Sequence, residues 1–195
     1  MLDGQFTRLR SVDLTDAEWM RRLRTSPVVM QAFQYRYPIT DVQQEEFIRG
    51  LSANREQLYF VAEDPAGAKP FGVCCLHEID YRNQRAECGI FWDADATGGE
   101  IAAFEAGFLL RDYAYSYLNL QKIVAEILSD NVRSIRFHEA LGMMLEATRR
   151  RHLYYDGQFH DLSLYAQFRD DFYDRPTRVV QMFLAAKSRK QHPGL

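Results

Sequence analysis

The sequence predicts an α/β fold in which a central sheet of mixed strand directions is flanked by helices. Short apolar runs typical of strands alternate with longer segments of helical periodicity. Three of the apolar runs follow one another across short turns, which indicates an antiparallel meander. The resulting order is β-α-α-β-β-β-α-β-α-β-β, so the meander is combined with strands that are separated by helices.

The first half of the chain begins with an alternating strand at Phe6–Val12. The helix that follows carries a predicted capping box, in which Thr15 caps the helix and Glu18 bonds back to it. A second helix is predicted to begin with Thr40 or Asp41 as its cap.

A Pro/Gly loop and a polar turn separate the strands of the meander, which we place at residues 57–64, 71–80 and 85–94. A turn with two adjacent glycines follows, and then a long helix that ends near Leu118. Apolar residues recur on one predicted face of this helix: Ile101, Phe104, Phe108 and Leu109.

The second half continues with a buried strand at 120–128, a short helix closed by Gly142, and a hairpin of two strands. We predict one domain over residues 1–168. Residues 169–195 form a predicted C-terminal extension, with a helix at about Thr177–Lys190 and then a frayed end.

The composition is that of an ordinary globular protein, with 47% hydrophobic and 26% charged residues among 195. The net charge of -3 offers no basis for broad nucleic-acid binding, and no apolar run approaches the ~20 residues that span a bilayer. Cys74, Cys75 and Cys88 lie in strand-like runs without metal-ligand spacing, so we expect buried reduced thiols and no metal. An odd cysteine count without a signal-peptide pattern favours a reducing compartment, and we expect a cytoplasmic protein.

Three stretches of the chain resemble the GNAT superfamily of acyl-CoA-dependent N-acyltransferases. The strand at 85–94 runs into a glycine-bearing turn and helix, and residues 130–143 (DNVRSIRFHEALGM) are similar to the family's N-x-x-S-x-x-x-Y-x-x-x-G-F segment. The ending at 145–168 resembles a branch that contains ribosomal-protein N-terminal acetyltransferases and the acetyltransferase of the pseudaminic acid pathway, which acts on a nucleotide-linked amino sugar. The early half and the central hairpin favour the amino-sugar enzymes of that branch.

The resemblance implies a sheet of about seven strands and acetyl-CoA as the acetyl donor. In this family the cofactor enters between two parallel strands that splay apart, here those that end at residues 90–92 and at Leu128. Backbone N–H groups of Ile90, Phe91 and Trp92 would then hold the pantetheine arm or the thioester carbonyl. Without the resemblance, the same segment is an ordinary central strand.

The family's pyrophosphate cradle, Q/R-x-x-G-x-G/A, aligns with a divergent segment of this chain: Thr97, Gly98, Gly99, Glu100, Ile101 and Ala102. Only Ala102 meets the pattern, and Glu100 replaces the central glycine. Free N–H groups and the helix dipole attract an anion to a helix N-terminus, and the same field favours a glutamate in the first turn. Two interpretations therefore stay open, namely a weaker cradle with Glu100 in solvent and a segment that no longer binds CoA in the family's way.

The most family-like segment supplies three candidate residues. The resemblance places Asn131 near the pantetheine arm and Ser134 near the phosphate arm, while Asn131 is also a preferred helix cap. His138 takes the position of the family's Tyr, which protonates the leaving thiolate. Because histidine titrates near neutrality, His138 could donate that proton; the alternative is a helix residue that faces solvent.

The predicted general base is Glu87, which lies on the strand that leads to the acceptor side and acts directly or through water. His77 and Glu78 on the neighbouring strand are the alternatives. Arg149 and Arg151 share one predicted strand face. They would meet an acidic or nucleotide-bearing acceptor, or else belong to a solvated edge strand that resists aggregation.

Tyr35 and Tyr37 lie in an early loop that shapes the acceptor pocket in such folds, where they would stack on the acceptor or plug the core. We expect acetyl transfer to a primary amine of a small molecule, with a nucleotide-linked amino sugar favoured. A protein N-terminal amine is the second acceptor class, and a binding or regulatory protein, or an enzyme with another donor, is the third possibility. In that last case Glu100 would fill the phosphate space. A homodimer is the oligomer considered.

Overall fold

The computed structural model of the chain describes residues 1–34, 36–67, 69–93 and 99–191. Its strands form a single sheet in the order β1-β2-β3-β4-β5-β6-β8-β7. They are β1 Leu2–Asp3, β2 Arg8–Ser11, β3 Leu58–Glu63, β4 Pro70–Asp80, β5 Arg85–Trp92, β6 Lys122–Leu128, β7 Met144–Tyr155 and β8 Gln158–Phe168. Neighbouring strands are antiparallel except β5 and β6, which are parallel. The predicted α/β fold with a mixed sheet is confirmed. The sheet has eight strands in the described residues, because the two-residue strand β1 adds to the seven or so that were predicted.

The helices lie between these strands and at the C-terminus. They are α1 Ala17–Arg24, α2 Pro27–Ala32, α3 Asp41–Leu51, α4 Gly99–Ser116, α5 Val132–Ala140, α6 Arg169–Tyr173 and α7 Arg178–Gln191. A 3-10 turn, Leu14–Asp16, leads into α1. No helix in the described part of the chain is long and apolar enough to cross a membrane.

The caps were predicted for two helices in the first half of the chain, α1 and α3, and one of the two predictions is correct. Thr40, one of the two predicted caps, caps α3, and it does so through a capping box with Gln43. The box before α1 is formed by Asp13 and Asp16, and the predicted pair of Thr15 and Glu18 is wrong. The side chain of Asp16 accepts the backbone N–H of Asp13 and is held by two hydrogen bonds of 2.8 Å from the guanidinium of Arg10.

Helix α4 is buried on more than the predicted face. Ile101 of that face is 38% exposed, whereas Ala102 and Ala106 are fully covered. The far side of the helix is covered by α7, since the rings of Phe108 and Phe183 lie 5.3 Å apart. A helix that is enclosed between a sheet and another helix has no polar face, so its periodicity is a poor guide to which side meets the sheet.

The pairing of β5 and β6 positions the site. Their register runs only from Arg85 opposite Lys122 to Glu87 opposite Val124, although β5 continues to Trp92 and β6 to Leu128. The two parallel strands therefore separate beyond Glu87, which confirms the predicted splay. The three cysteines are free and buried, as expected.

Candidate active site

A cleft of about 510 Å³ lies where β5 and β6 separate. The segment from Glu87 to Trp92 forms one wall, and Ala125, Glu126 and Ile127 form the other. Several residues predicted for the site line this cleft together: His77, Glu87, Ile90, Phe91, Trp92, Asn131, Ser134 and His138. The gap leaves the edge of β5 toward β6 without a strand partner in the described residues, so its backbone groups can meet a ligand.

Other predicted residues lie elsewhere. Tyr37 is 74% exposed and does not line the cleft, while Tyr35, Thr97 and Gly98 are outside the described residues. The position of Tyr37 therefore does not support the predicted stacking on the acceptor.

The two arginines of β7 do not share a face. The register of β7 is irregular between Arg149 and Leu153, and Arg151 has a φ of 50°, so the expected alternation is broken there. Arg151 donates its backbone N–H to the carboxylate of Asp161 at 2.7 Å, outside the cleft. Arg149 reaches the rim, where its Nη1 donates to Oε1 of Glu126 at 2.8 Å. Because β7 is the last strand of the sheet, both residues lie on an edge strand, which was one of the two alternatives.

The described part of the predicted cradle is the first turn of α4. Gly99 has a φ of +64° and faces open space, which suits the left-handed conformation that glycine tolerates. Glu100 is exposed to solvent. Ala102 is 1% exposed and packs in the core, with its carbonyl accepting the hydroxyl of Thr7 at 2.6 Å. Neither Glu100 nor Ala102 lines the cleft.

Glu87 is the carboxylate whose surroundings suit a base. Its side chain is 17% exposed, and it shares a sheet face with Glu126, since Val124 pairs with Glu87 and side chains alternate along β6. Burial, followed by the negative charges of Glu126 and Glu78, raises the pKa of Glu87 from 4.5 to about 7. A carboxylate with this pKa can accept a proton efficiently near neutral pH.

His77 lies beside Glu87, with its Nε2 3.7 Å from a carboxylate oxygen. Burial lowers the pKa of His77 despite the nearby charges of Glu78 and Glu126, so the imidazole is neutral at neutral pH. Ligand atoms of His77, Glu78 and Glu87 lie within 4.8 Å of one another, an arrangement that a metal ion could also use. A neutral imidazole next to a carboxylate of raised pKa is equally suited to relaying a proton.

The α5 side of the cleft is built from the most family-like segment. Asn131 caps α5 by accepting the N–H of Ser134 at 3.0 Å, as predicted. His138 is 4% exposed, and its Nδ1 lies 2.8 Å from the carbonyl oxygen of Ser134. A carbonyl only accepts, so Nδ1 carries the proton and Nε2 is left as an acceptor.

Burial, then the positive charge of Arg111, lowers the pKa of His138 to about 3. The prediction that His138 titrates near neutrality is therefore wrong, because the ring lies in the cleft wall and not at a solvated helix surface. At neutral pH the ring is neutral and has no proton on Nε2 to give.

Aromatic side chains line the mouth of the cleft together with two arginines, Arg24 beside Phe33 and Arg133 beside Trp92. The ring of Trp92 packs on Phe137 at 4.8 Å, and the guanidinium of Arg133 lies 5.7 Å from the ring of Trp92. On the opposite side, Phe33 packs edge-on against Phe91 at 5.4 Å. Apolar walls with a cation at the mouth suit a pantetheine arm that ends in phosphates.

Sequence reasoning missed Glu126, Arg133 and Arg111. Glu126 is the one charge that interrupts the apolar run IVAEIL, and Arg111 and Asp112 are adjacent charges inside the buried stretch GFLLRDYAYS. Those interruptions were the available signal, since a charge inside a core element needs a reason. Arg133 carries no such signal, because an exposed arginine in a short helix is ordinary.

These features define the class of protein. A parallel strand pair that opens into a cleft, a helix N-terminus beside it and a carboxylate with a pKa near neutrality suit a transferase that holds a long thioester and deprotonates an acceptor.

Comparisons with known proteins place the chain in a family. Residues 7–144 match the family described as acetyltransferase (GNAT) domain. The chain therefore belongs to the GNAT acetyltransferases, and it is an N-acetyltransferase whose donor is acetyl-CoA.

The relatives of the chain include bacterial N-acetyltransferases. The spermidine N(1)-acetyltransferase of Vibrio cholerae is 26% identical over 162 residues, which cover 83% of this chain and 91% of the relative. The putative ribosomal N-acetyltransferase YdaF of Bacillus subtilis is 32% identical over 95 residues, 49% of this chain and 51% of the relative.

A solved structure of the Vibrio cholerae spermidine N-acetyltransferase, in complex with CoA and spermine, shares the fold. It superposes with a TM-score of 0.79 at 21% identity and covers 86% of this chain and 98% of its own. Another structure of that enzyme is described as dodecameric.

Proposed function

We propose that the protein transfers the acetyl group of acetyl-CoA to a primary amine of an aliphatic polyamine of the spermidine class. The observation that carries this proposal is the group of three carboxylates at the acceptor side of the cleft, namely Glu78, Glu87 and Glu126. Like charges this close repel one another. Arg149 pairs with Glu126 from the rim, and a ligand cation between the carboxylates relieves the remaining repulsion. A polyamine supplies several cations on one apolar chain, and the relative named above acts on spermidine.

The nucleotide-linked amino sugar is a poorer match for this cleft. Its phosphates are anionic, and the carboxylates at the acceptor side would repel them. The two arginines predicted to meet a nucleotide-bearing acceptor do not form a binding face, because Arg149 is paired with Glu126 and Arg151 lies outside the cleft. A protein N-terminal amine remains the second candidate, supported by the likeness to YdaF.

The proposed mechanism uses the described residues as follows. The pantetheine arm lies between β5 and β6, with backbone N–H groups of the segment from Ile90 to Trp92 toward the arm or the thioester carbonyl. Asn131 and Ser134 line the path, and Arg133 faces the phosphates. Glu87 takes the proton of the attacking amine, directly or through water, with neutral His77 beside it.

The phosphate cradle is proposed to work without the side chain of Glu100. Its carboxylate is exposed at the start of α4, where the helix dipole stabilises it by about 0.3–1 kcal/mol. The amides around Gly98 and Gly99 would then meet the pyrophosphate while Glu100 stays in solvent, which is the weaker-cradle interpretation.

A panel of acceptors tests the proposal. The purified protein is incubated with acetyl-CoA and, in turn, spermidine, a nucleotide-linked amino sugar and a peptide with a free N-terminus, and CoA release and acetylated product are measured. We expect spermidine to give the highest kcat/KM, and Glu87→Gln to remove most of that activity. Glu146→Gln is the matched control, because Glu146 is a carboxylate of the same sheet that pairs with Lys122 away from the cleft. A clear preference for one of the other acceptors would refute the polyamine assignment, and failure to bind acetyl-CoA at all would refute transferase activity.

Three further proposals concern the whole protein. We propose that residues 1–168 form the catalytic domain and that residues 169–195 are an extension that completes its core, since Phe172 and Phe183 are buried in the main hydrophobic cluster. A homodimer, testable by light scattering, is proposed through the exposed edge strand β7, on which Met144 and Leu145 are exposed. The free buried cysteines support a reducing, cytoplasmic location.

A further inference from the structure

Arg111 is a buried cation outside the groups of the proposed mechanism. It lies on α4 and is 1% exposed. Its Nη1 donates to the carbonyl of Gly107 at 3.0 Å, its Nη2 contacts only the sulfur atoms of Cys88 and Met143, and its Nε has no partner. Within the described part of the chain, no carboxylate forms an ion pair with it. A buried charge without a counter-charge is costly, and its presence calls for an anion.

The position of Arg111 is directly behind the cleft. Cys88 on β5 and His138 on α5 both line the cleft; Nη2 of Arg111 lies 3.7 Å from the Cys88 sulfur, and the charge of Arg111 acts on His138. Burial raises the pKa of the Cys88 thiol, and β6 contributes the uncharged Ala125 and Ile127. Glu87, whose charge also acts on Cys88, is the next residue along β5 and points to the opposite face of the sheet. The guanidinium is therefore the charged group that faces this part of the cleft from behind.

His138 cannot fill the role of proton donor in this setting. Its Nδ1–H is donated to the carbonyl of Ser134, and its Nε2 is buried without a partner. An unprotonated Nε2 in a cleft wall is a hydrogen-bond acceptor, suited to an N–H or S–H group of a ligand.

We propose that Arg111 is a positioning residue for the leaving group: the guanidinium of Arg111 stabilises CoA as a thiolate, while His138 accepts a hydrogen bond there and donates no proton. This inference rests on the proposed function. The amine nitrogen forms a bond to the thioester carbon, the carbon–sulfur bond breaks, and its electron pair stays on sulfur. The amine proton goes to Glu87, and the thiolate is protonated from solvent when CoA departs. Arg111 acts across the cleft wall through its field, which is strong because the site is poorly solvated.

The first test measures the thiol of bound CoA in the unaltered protein. The ultraviolet absorbance of the thiolate is followed as the CoA complex is titrated, with free CoA as the reference. We expect the bound thiol to titrate roughly one to three pH units below the thiol of free CoA. A bound thiol that titrates at or above the free value overturns the proposal, and no variant is needed for that result.

The second test compares Arg111→Met with Arg111→Lys. We expect Arg111→Met to return the bound thiol to its free value and to lower kcat about tenfold or more, with the KM for acetyl-CoA little changed, and Arg111→Lys to restore most of the shift. Arg136→Met is the matched control, because it removes the same charge from an exposed position on α5; its thiol titration and kcat should equal those of the unaltered protein. Equal shifts in Arg111→Met and the unaltered protein would overturn the proposal.

A third measurement reports on His138 itself. Nitrogen-15 NMR should show a neutral ring with its proton on Nδ1 at neutral pH, and a His138 signal that titrates near 6.5 would contradict the acceptor role. The outcomes distinguish a failure of the role of Arg111 from a failure of the proposed function. If the protein binds CoA and acetylates spermidine while the bound thiol is unshifted, only the role of Arg111 fails; if calorimetry shows no CoA binding, the proposed function fails with it.

Discussion

Replacing Glu126 with Gln should shift the pH dependence of the reaction, because Glu126 helps to set the pKa of the proposed base. The pKa of Glu87 is raised from 4.5 to about 7 by burial first and by the charge of Glu126 second. Gln removes that charge and keeps the backbone N–H that Glu126 offers to Glu87. Burial and Glu78 are unchanged. The charge of Arg149 also lowers the pKa of Glu87, and Arg149 loses its carboxylate partner in the variant, so its effect acts in the same direction.

The expected shift can be converted into a rate. Removing one like charge at this distance lowers a carboxyl pKa by about one unit. The base is active when ionised, so activity is present above its pKa and is lost as the pH falls through it. At pH 6 the ionised fraction of Glu87 would rise from roughly a tenth to roughly a half. Relative to its own plateau at high pH, the variant should therefore be about fivefold faster at pH 6 than the unaltered protein.

The assay is kcat at saturating acetyl-CoA and spermidine, measured from about pH 5 to about pH 9. Saturation removes the separate loss of acceptor affinity that a missing carboxylate causes. Glu146→Gln serves as the control, since its partner Lys122 holds it outside the cleft, and its profile should match that of the unaltered protein. An acid limb of Glu126→Gln that stays in place or moves to higher pH would refute the assignment of Glu87 as the titrating base.

Four other perturbations have defined outcomes. Glu87→Gln should remove a stability loss of about 3 kcal/mol that develops as the pH rises from 4.5 to about 7, since a carboxylate with a raised pKa favours the folded state only while protonated. Urea unfolding of both proteins at the two ends of that pH window measures the loss, and a constant difference between them would contradict it. Glu100→Gln should change the calorimetric Kd for acetyl-CoA by less than about threefold, because an exposed carboxylate is screened by solvent, and a much tighter Kd would show that it faces the pyrophosphate. Glu105→Ala should lower the free energy of unfolding in urea by about 3 kcal/mol, because the buried Glu105 carboxylate accepts three backbone N–H groups of residues 5–7. A loss below about 1 kcal/mol would show that water takes the place of the carboxylate. A chain ended after Phe168 should melt at much lower temperature or fail to fold, since each buried phenylalanine lost from α6 and α7 costs about 3–5 kcal/mol, and an unchanged melting temperature would show that the extension is dispensable.

Much of the fold was predictable because its signals are local. The strands of the meander stand between Pro/Gly-rich or polar turns, and Gly142 closes α5 with a φ of +94° that few other residues adopt. Asn131 caps that helix as its type predicts. These elements are specified by residues that lie within a few positions of one another.

The cap of the first helix depended on a distant residue. Thr15 with Glu18 and Asp13 with Asp16 both satisfy the spacing of a capping box. The second pair forms because the guanidinium of Arg10, on β2, holds Asp16 in place, and this pairing exists only once the strand and the helix are packed together.

The candidate site was predictable in its residues more than in their chemistry. Glu87 was identified from its place on the strand that leads to the acceptor side and His138 from the family-like segment, and both line the cleft. The charge states could not be obtained that way, because they depend on Glu126 and Arg111, which come from elements far along the chain. The alternation that placed Arg149 and Arg151 together failed at an irregularity in β7 that has no glycine or proline to mark it.

The most direct measurement of the central claim is the mass of the product formed from spermidine and acetyl-CoA by the unaltered protein and by Glu87→Gln. The proposed function predicts N-acetylspermidine with the unaltered protein at neutral pH, and a large loss of product with a Glu87→Gln variant that still binds acetyl-CoA. No acetylspermidine from a folded protein that binds acetyl-CoA, or equal product from both proteins, would contradict it.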